Sequence, residues 1–307
     1  MDVEDYMGPS HTAGLWMTEV HRGVVGLTFK VVKTLFSGRS EFQQVDVVKT
    51  KGLGNMLLND GVVMLSERDE FIYHEMIAHV PLFVHPSPER ILVIGGGDGG
   101  TMREVLKHPS VTRAVLVEID AMVIQACREY LPAVSAAMDD PRLEIMVKDG
   151  VKFVAETEET FDVVLVDSTD PIGPAGPLFD KDFYKHVAKI LTPDGILITQ
   201  AASPFYDRYI QEPMFRNQRP FFKRLHMYNY SNLTYPGGLW SFGFGSNGIC
   251  PLQNFDPAKV AASGISTRYY NAGVHLSSFM LPTFIAENLS EVIDPIDFSS
   301  IWKHGQG

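Results

Sequence analysis

The hydrophobic rhythm of the chain changes once, near residue 66. Ahead of that point, β-rich runs at 15–21, 24–31, 42–50, 55–58 and 62–65 are separated by Arg22-Gly23, Ser37-Gly38 and Asp60-Gly61. Short apolar runs between such turns predict antiparallel hairpins. Five short strands make a small sheet, not a domain that would obviously stand alone. Beyond residue 66, strands alternate with helices. A helix is predicted from Asp69 to about Phe83, with Ile72, Met76, Ile77 and Val80 on one face. A strand at 91–94 runs into Gly95-Gly96-Gly97-Asp98-Gly99-Gly100 and a helix to about Lys107. Further strands fall at 115–119, 143–147, 161–166 and 196–199, and 225–229 and 239–243 complete the sheet. One helix carries Val123, Ile124, Cys127, Tyr130 and Leu131 at helical spacing; another runs 180–191 from an N-cap at Asp180 to a stop at Pro193-Asp194-Gly195. Apolar strands separated by helices define a mostly parallel sheet covered on both faces. The expected architecture is therefore α/β: a Rossmann-like, doubly wound domain at 67–307 behind an N-terminal antiparallel β domain at 1–66. Neither an internal repeat nor a low-complexity linker interrupts it.

Composition narrows the setting. With 307 residues, 45% of them hydrophobic, the chain can fill a sizeable core. None of its apolar runs approaches the roughly 18 residues a membrane-spanning helix needs. The acidic start, Met1-Asp2-Val3-Glu4-Asp5, lacks the basic-then-apolar layout of a signal peptide. Two cysteines, Cys127 and Cys250, make no disulfide framework, so a reducing cytoplasm is expected. A net charge of −11 argues against nucleic acid as a partner and leaves a cationic ligand open.

Ligands of a doubly wound sheet bind at the carboxyl ends of its strands. Here those ends are followed by Asp98, by Glu118 and Asp120, by Asp149-Gly150, by Asp167 with Asp170, and by Gln200. Five successive strand ends thus bring carboxylates or an amide to one edge, although positions such as Asp149 also suit plain helix N-caps. Gly95, Gly97 and Gly100 satisfy G-x-G-x-x-G, which by itself allows a dinucleotide. Asp98 speaks against one, because a carboxylate at the helix start repels a pyrophosphate. It suits a nucleoside with a cationic group nearby. Glu118 suits two ribose hydroxyls and Asp149 an adenine amino group, which points to a sulfonium nucleoside of the S-adenosylmethionine type. The stretch from Asp167-Ser168-Thr169-Asp170-Pro171 to Pro177 is rich in Gly and Pro, as a lid over a site would be. Two carboxylates three apart beside a sulfonium can orient an amine and take its proton.

These residues carry a resemblance. From residue 15 to 289 the chain resembles the polyamine aminopropyltransferases. The most specific stretches are Glu67-Arg68-Asp69-Glu70-Phe71-Ile72-Tyr73-His74-Glu75, the glycine loop with Arg103-Glu104-Val105, Val117-Glu118-Ile119-Asp120, the Asp167 lid, Tyr235-Pro236-Gly237-Gly238 and Arg268-Tyr269-Tyr270-Asn271. The resemblance implies transfer of the aminopropyl group of decarboxylated S-adenosylmethionine, a co-substrate and not a cofactor, to an amine, with putrescine the first candidate. It implies donor binding by Gln43, His74, Asp98, Glu118, Asp149 and Gly150, and a general base at Asp167. Acceptor binding falls to Tyr73, Asp170, Gln200 and Tyr235. It also implies a homodimer or homotetramer with the N-terminal strands in the subunit contact. One departure is Met64, where many relatives carry Gln in the hairpin.

Other readings stay beside it. A small-molecule methyltransferase would share the nucleoside half of the site, and a polyamine sensor the acidic pocket without the base. His79, His85, His108 and His186 show no metal-ligand spacing, so no metal is expected. Cys127 reads as packed. Trp16, Trp240 and the aromatic residues at 221–230 read as core, with a pocket wall as the second reading of Trp240. The basic residues between Arg216 and Arg224 read as a solvated helix face.

Overall fold

The computed structural model describes residues 15–171 and 173–296. The acidic start and Ile172 of the expected lid lie outside the described residues, as do the extreme ends of the two expected domains.

Strands β1 (Trp16–His21), β2 (Val25–Arg39), β3 (Gln44–Thr50), β4 (Asn55–Asn59) and β5 (Val62–Ser66) form one antiparallel sheet in chain order. The Ser37-Gly38 pair is not a turn. It lies inside β2, a 15-residue strand whose first part pairs with β1 and whose second part pairs with β3. Register shifts between Val31 and Lys33 and between Thr34 and Phe36 let one strand serve both partners. One face of this sheet, with Val45, Val47, Leu57 and Leu65, is packed against Val123, Ala126, Cys127, Leu131 and Val134. Cys127 is fully buried there, as its helical spacing predicts. Each aliphatic side chain fully buried in such a cluster contributes about 1.5–3 kcal/mol.

Helix α1 (Glu70–Val84) follows three residues after β5 and is buried on every side but Phe71. The chain continues through β6 (Arg90–Gly95), α2 (Gly100–Val105), β7 (Arg113–Glu118), α3 (Ala121–Tyr130), β8 (Leu143–Val147), α4 (Gly150–Glu156) and β9 (Phe161–Asp167). A 3-10 helix (Gly173–Phe179), α5 (Lys181–Ile190), β10 (Leu191–Gln200), α6 (Arg208–Gln218), β11 (Arg224–Ser231) and β12 (Leu239–Ser246) complete the large sheet. Three short helices, α7 (Pro257–Ala262), α8 (Ala272–Ser278) and α9 (Thr283–Leu289), close the described chain.

The seven strands of the large sheet lie in the order β11-β12-β10-β9-β6-β7-β8. Only β12 runs against its neighbours, so the sheet is mostly parallel, as the continuous apolar strands predict. Chain order reverses direction between β6 and β9, and ligands of such sheets settle at that point. There Gly95 is in register with Asp167.

Several local expectations are corrected. Pro193-Asp194-Gly195 is no stop before a short strand; it bulges within β10, which starts at Leu191. Asp180 precedes α5 without a side-chain capping bond. Trp16 is 53% exposed on edge strand β1, so it is not core. Arg219 is not merely solvated: it donates to the Val292 carbonyl and to Asp294 at 2.9 Å. Among the described residues, no helix is long and apolar enough to cross a membrane.

Candidate active site

A cleft of about 340 Å³ opens at the reversal point, walled by the small sheet on one side and the β6, β7, β9 and β10 ends on the other. All eleven site candidates from the sequence line it, as do Met64 and Trp240; Trp240 is buried in the core and forms part of the cleft wall, so both of its readings hold.

The glycine loop is shaped by close approach. Gly95 has a φ of +81°, and a Cβ there would run into the Asp167 carbonyl. A Cβ on Gly100 would strike the His74 ring, so α2 can start against α1 only with glycine at this point. The loop brings Asp98 to His74. His74 Nε2 is 3.2 Å from Asp98 Oδ1, and its Nδ1 is 2.6 Å from Glu70 Oε2. Burial disfavours a charged imidazole, but Asp98 and Glu70 outweigh it and lift the His74 pKa to about 10. Burial likewise works against the Asp98 carboxylate, yet His74 and the Gly100 amide hold it below the usual aspartate range. Arg103, which the sequence marks only as part of a motif, adds two bonds to Glu70.

At the β7 end, Glu118 accepts from the Gly97 amide at 3.1 Å and from the Asp120 amide at 2.8 Å. Burial nevertheless pushes its carboxyl up to about 7. Gln43 reaches over from the small sheet and donates to Asp120 at 3.0 Å. Asp149 caps α4 by accepting from the Val151 and Lys152 amides, so the plain N-cap reading holds while the residue also lines the cleft.

Asp167 ends the central strand β9. Tyr73 donates to its Oδ1 at 2.7 Å and Thr101 to its Oδ2 at 2.6 Å. Burial and the charge of Asp98 raise its pKa above the ordinary aspartate value, against the pull of His74 and of the two hydroxyls. Asp170 accepts from Gln200 at 2.8 Å and from Arg22 at 3.0 Å, with burial again raising its pKa. Tyr235 donates to the Met64 carbonyl at 2.5 Å, so the departure at Met64 leaves a backbone bond in place. On strand β1 of the small sheet, Glu19 is 4% exposed, its Oε2 accepts from the Val63 amide, and burial lifts its carboxyl to about 7.

Glu19, His21, Arg22, Thr101 and Asp207 are the site residues the sequence reading missed. Thr101 could have been found from its place directly after the glycine loop. The others belong to an N-terminal hairpin and a distant loop that no local pattern ties to the large sheet. His74, Asp98 and Asp167 present ligand atoms within 4.8 Å of one another.

Comparison with known proteins agrees with this geometry. A family model described as the spermine/spermidine synthase domain matches residues 70–256, and one described as the spermidine synthase tetramerisation domain matches residues 15–67. The polyamine aminopropyltransferase of Bacillus subtilis is 45% identical over 276 residues, covering 89% of this chain and 98% of the relative. That of Caldicellulosiruptor saccharolyticus is 46% identical over 271 residues, covering 88% and 96%. A crystal structure of spermidine synthase with the transition-state analogue AdoDATO superposes with a TM-score of 0.89 at 43% identity, over 91% of this chain and 96% of the other. Spermidine synthase from Thermotoga maritima gives 0.86 at 41%, over 91% and 95%. The chain belongs to the spermine/spermidine synthase family of polyamine aminopropyltransferases, and is an enzyme of that class.

Proposed function

We propose that the enzyme transfers the aminopropyl group of decarboxylated S-adenosylmethionine to putrescine, giving spermidine and 5'-methylthioadenosine, with Asp167 as general base. The observation that carries this reading is the Asp167 carboxylate, raised in pKa at the end of β9, with Asp170 three residues on. Glu118, Asp149, Gly150 and Gln43 serve the nucleoside in this reading, with Asp98 and His74 at its aminopropyl end. Tyr73, Asp170, Gln200 and Tyr235 hold the amine. The neutral amine nitrogen attacks the aminopropyl carbon attached to sulfur. An N–C bond forms, the C–S bond breaks, and the electron pair returns to sulfur, leaving a neutral thioether. The surplus proton on nitrogen passes to Asp167.

Alkylamines are almost wholly protonated at neutral pH, with pKa near 10 as for lysine, so the site must both attract the cation and favour its deprotonation. The acidic wall does the first. A base of raised pKa, beside a sulfonium that disfavours a second cation, does the second. Positioning supplies much of the remaining rate, because the sulfonium is already a good leaving group. Asp98 favours the decarboxylated donor, since ordinary S-adenosylmethionine would bring a carboxylate towards it.

The reading needs no metal or cofactor, and places the enzyme in the cytoplasm, in keeping with two free cysteines. It also includes a dimer or tetramer built through the small sheet. The exposed apolar residues Leu15, Trp16, Val20, Val24 and Val32 support that, together with the family description of this segment. Incubation with decarboxylated S-adenosylmethionine and separate amines tests the function. Methylthioadenosine release is expected with putrescine above agmatine, cadaverine or a triamine. Release with none of them, or methyl transfer from S-adenosylmethionine instead, refutes it.

A further inference from the structure

Arg22 holds an unusual position for a hairpin-turn residue. Its φ of +54° lies in the left-handed region that non-glycine residues rarely adopt, and its side chain turns into the cleft. Nε donates to Asp207 Oδ1 at 2.7 Å and Nη2 to Asp170 Oδ2 at 3.0 Å. The guanidinium also sits 5.4 Å from the Tyr209 ring centroid. Asp207 has no exposed surface, and its second oxygen is met by His21 at 3.1 Å and by the Ser203 amide. Arg22 therefore stands between one carboxylate that lines the cleft and another that does not. The acidic wall running through Asp167 and Asp170 thus meets a cation at Arg22, with the buried carboxyl of Glu19 also in the cleft lining.

We propose that Arg22 determines acceptor specificity, its guanidinium closing the far end of the amine channel against acceptors that carry a further positive charge there. This rests on the reading of the cleft as an aminopropyltransferase site with Asp170 in the acceptor seat. A diamine reaches Asp170 with one ammonium and leaves its other nitrogen at Asp167. A triamine of the same spacing extends past Asp170 and brings its next ammonium against the guanidinium, in a partly desolvated site where like charges repel strongly. The arrangement does not alter the bonds made or broken. It selects the acceptor, and it stops the enzyme at one transfer, because the triamine product is a poor substrate for a second.

The test compares kcat/KM for spermidine and for putrescine, each as sole acceptor with decarboxylated S-adenosylmethionine, in the wild type, Arg22→Ala, Arg22→Gln and Arg22→Lys. The glutamine variant is included because it can still donate to one of the two carboxylates, and all variants are assayed below their melting transitions. The spermidine-to-putrescine ratio is expected to rise at least tenfold in the two neutral variants and to stay within threefold of wild type in Arg22→Lys. An unchanged ratio in both neutral variants overturns the proposal. A lysine ratio that rises as far as the alanine one overturns it too, since the charge would then not be what discriminates. A wild type that transfers to neither amine refutes the aminopropyltransferase reading of the acceptor seat, and the role of Arg22 with it.

Discussion

The hydroxyl of Tyr73, on α1, donates to Asp167 Oδ1 across 2.7 Å, joining residues 94 apart in sequence. A helix that packs beneath the sheet thereby sets the orientation of the carboxylate at its edge. With Thr101 on the other oxygen, Asp167 has two fixed neutral donors and keeps lone pairs for a third.

Replacing Asp167 by Asn keeps the shape and removes the proposed base. Turnover is expected to fall by about 10²–10⁴-fold, the usual worth of a general base. Methylthioadenosine binding, followed by calorimetry, should change by less than about fivefold. Near-normal turnover would remove Asp167 from its role.

The pH profile follows from the same carboxyl. A base works only when deprotonated, and burial with Asp98 raises the Asp167 pKa above the ordinary aspartate value, about 3.9. The acid limb of kcat/KM for the amine should therefore lie above that value. In Tyr73→Phe, which loses a bond that favours the charged form, it should move further up. An acid limb that stays put in the variant would mean that Asp167 does not report on it.

His74 links protonation to stability. Its folded-state pKa of about 10 lies above the unfolded value of 6.5, so its contribution is complete below about pH 6.5 and is lost as pH climbs towards 10. His74→Gln should destabilise the protein by about 3 kcal/mol at neutral pH, as when one partner of a buried ion pair is removed. In thermal melts the gap between variant and wild type should narrow steadily from pH 7 to pH 10. A gap independent of pH would contradict a charged His74.

Glu75 offers a purely structural contrast. Its carboxylate accepts from the backbone amides of Arg268, Tyr269 and Tyr270, each at 2.8 Å, and so fastens the C-terminal segment to α1. Glu75→Ala should lower stability by about 2–4 kcal/mol, because buried amides lose a charged partner. Below its melting temperature the variant should keep kcat within about threefold of wild type, as measured by product release.

Asp98 should discriminate between donors. Binding of the decarboxylated nucleoside is expected to be at least tenfold tighter than that of S-adenosylmethionine, and Asp98→Asn should narrow the difference. Equal affinities in the wild type, measured by calorimetry, would refute the charge argument.

The large sheet and its acidic edge were legible because buried parallel strands must be apolar throughout, which makes the polar residue after each strand stand out. Asp98, Glu118, Asp167 and Asp170 were all found in this way. The opposite wall was not. Glu19, His21 and Arg22 look like ordinary hairpin residues; Glu19 meets Val63 across the small sheet, and the partners of His21 and Arg22 at Asp170 and Asp207 come from distant parts of the chain. The length of β2 was hidden for a related reason. Ser37-Gly38 resembles a turn, yet Gly38 lies within β2, near its end, where an added Cβ would crowd Phe36 and Met122. Tertiary packing overrode the local signal.

Asp167 is the last residue of a central strand, and the Gly96 amide is bonded to its carbonyl at 2.9 Å. Asp170 lies beyond the sheet, at the start of the segment that leads into the 3-10 helix. The end of the sheet thus falls between the proposed proton acceptor and the proposed amine seat. In the proposed mechanism the base is therefore carried by the hydrogen-bonded sheet and the amine seat by the segment that follows it, so changes in that segment bear on acceptor binding before they bear on the base.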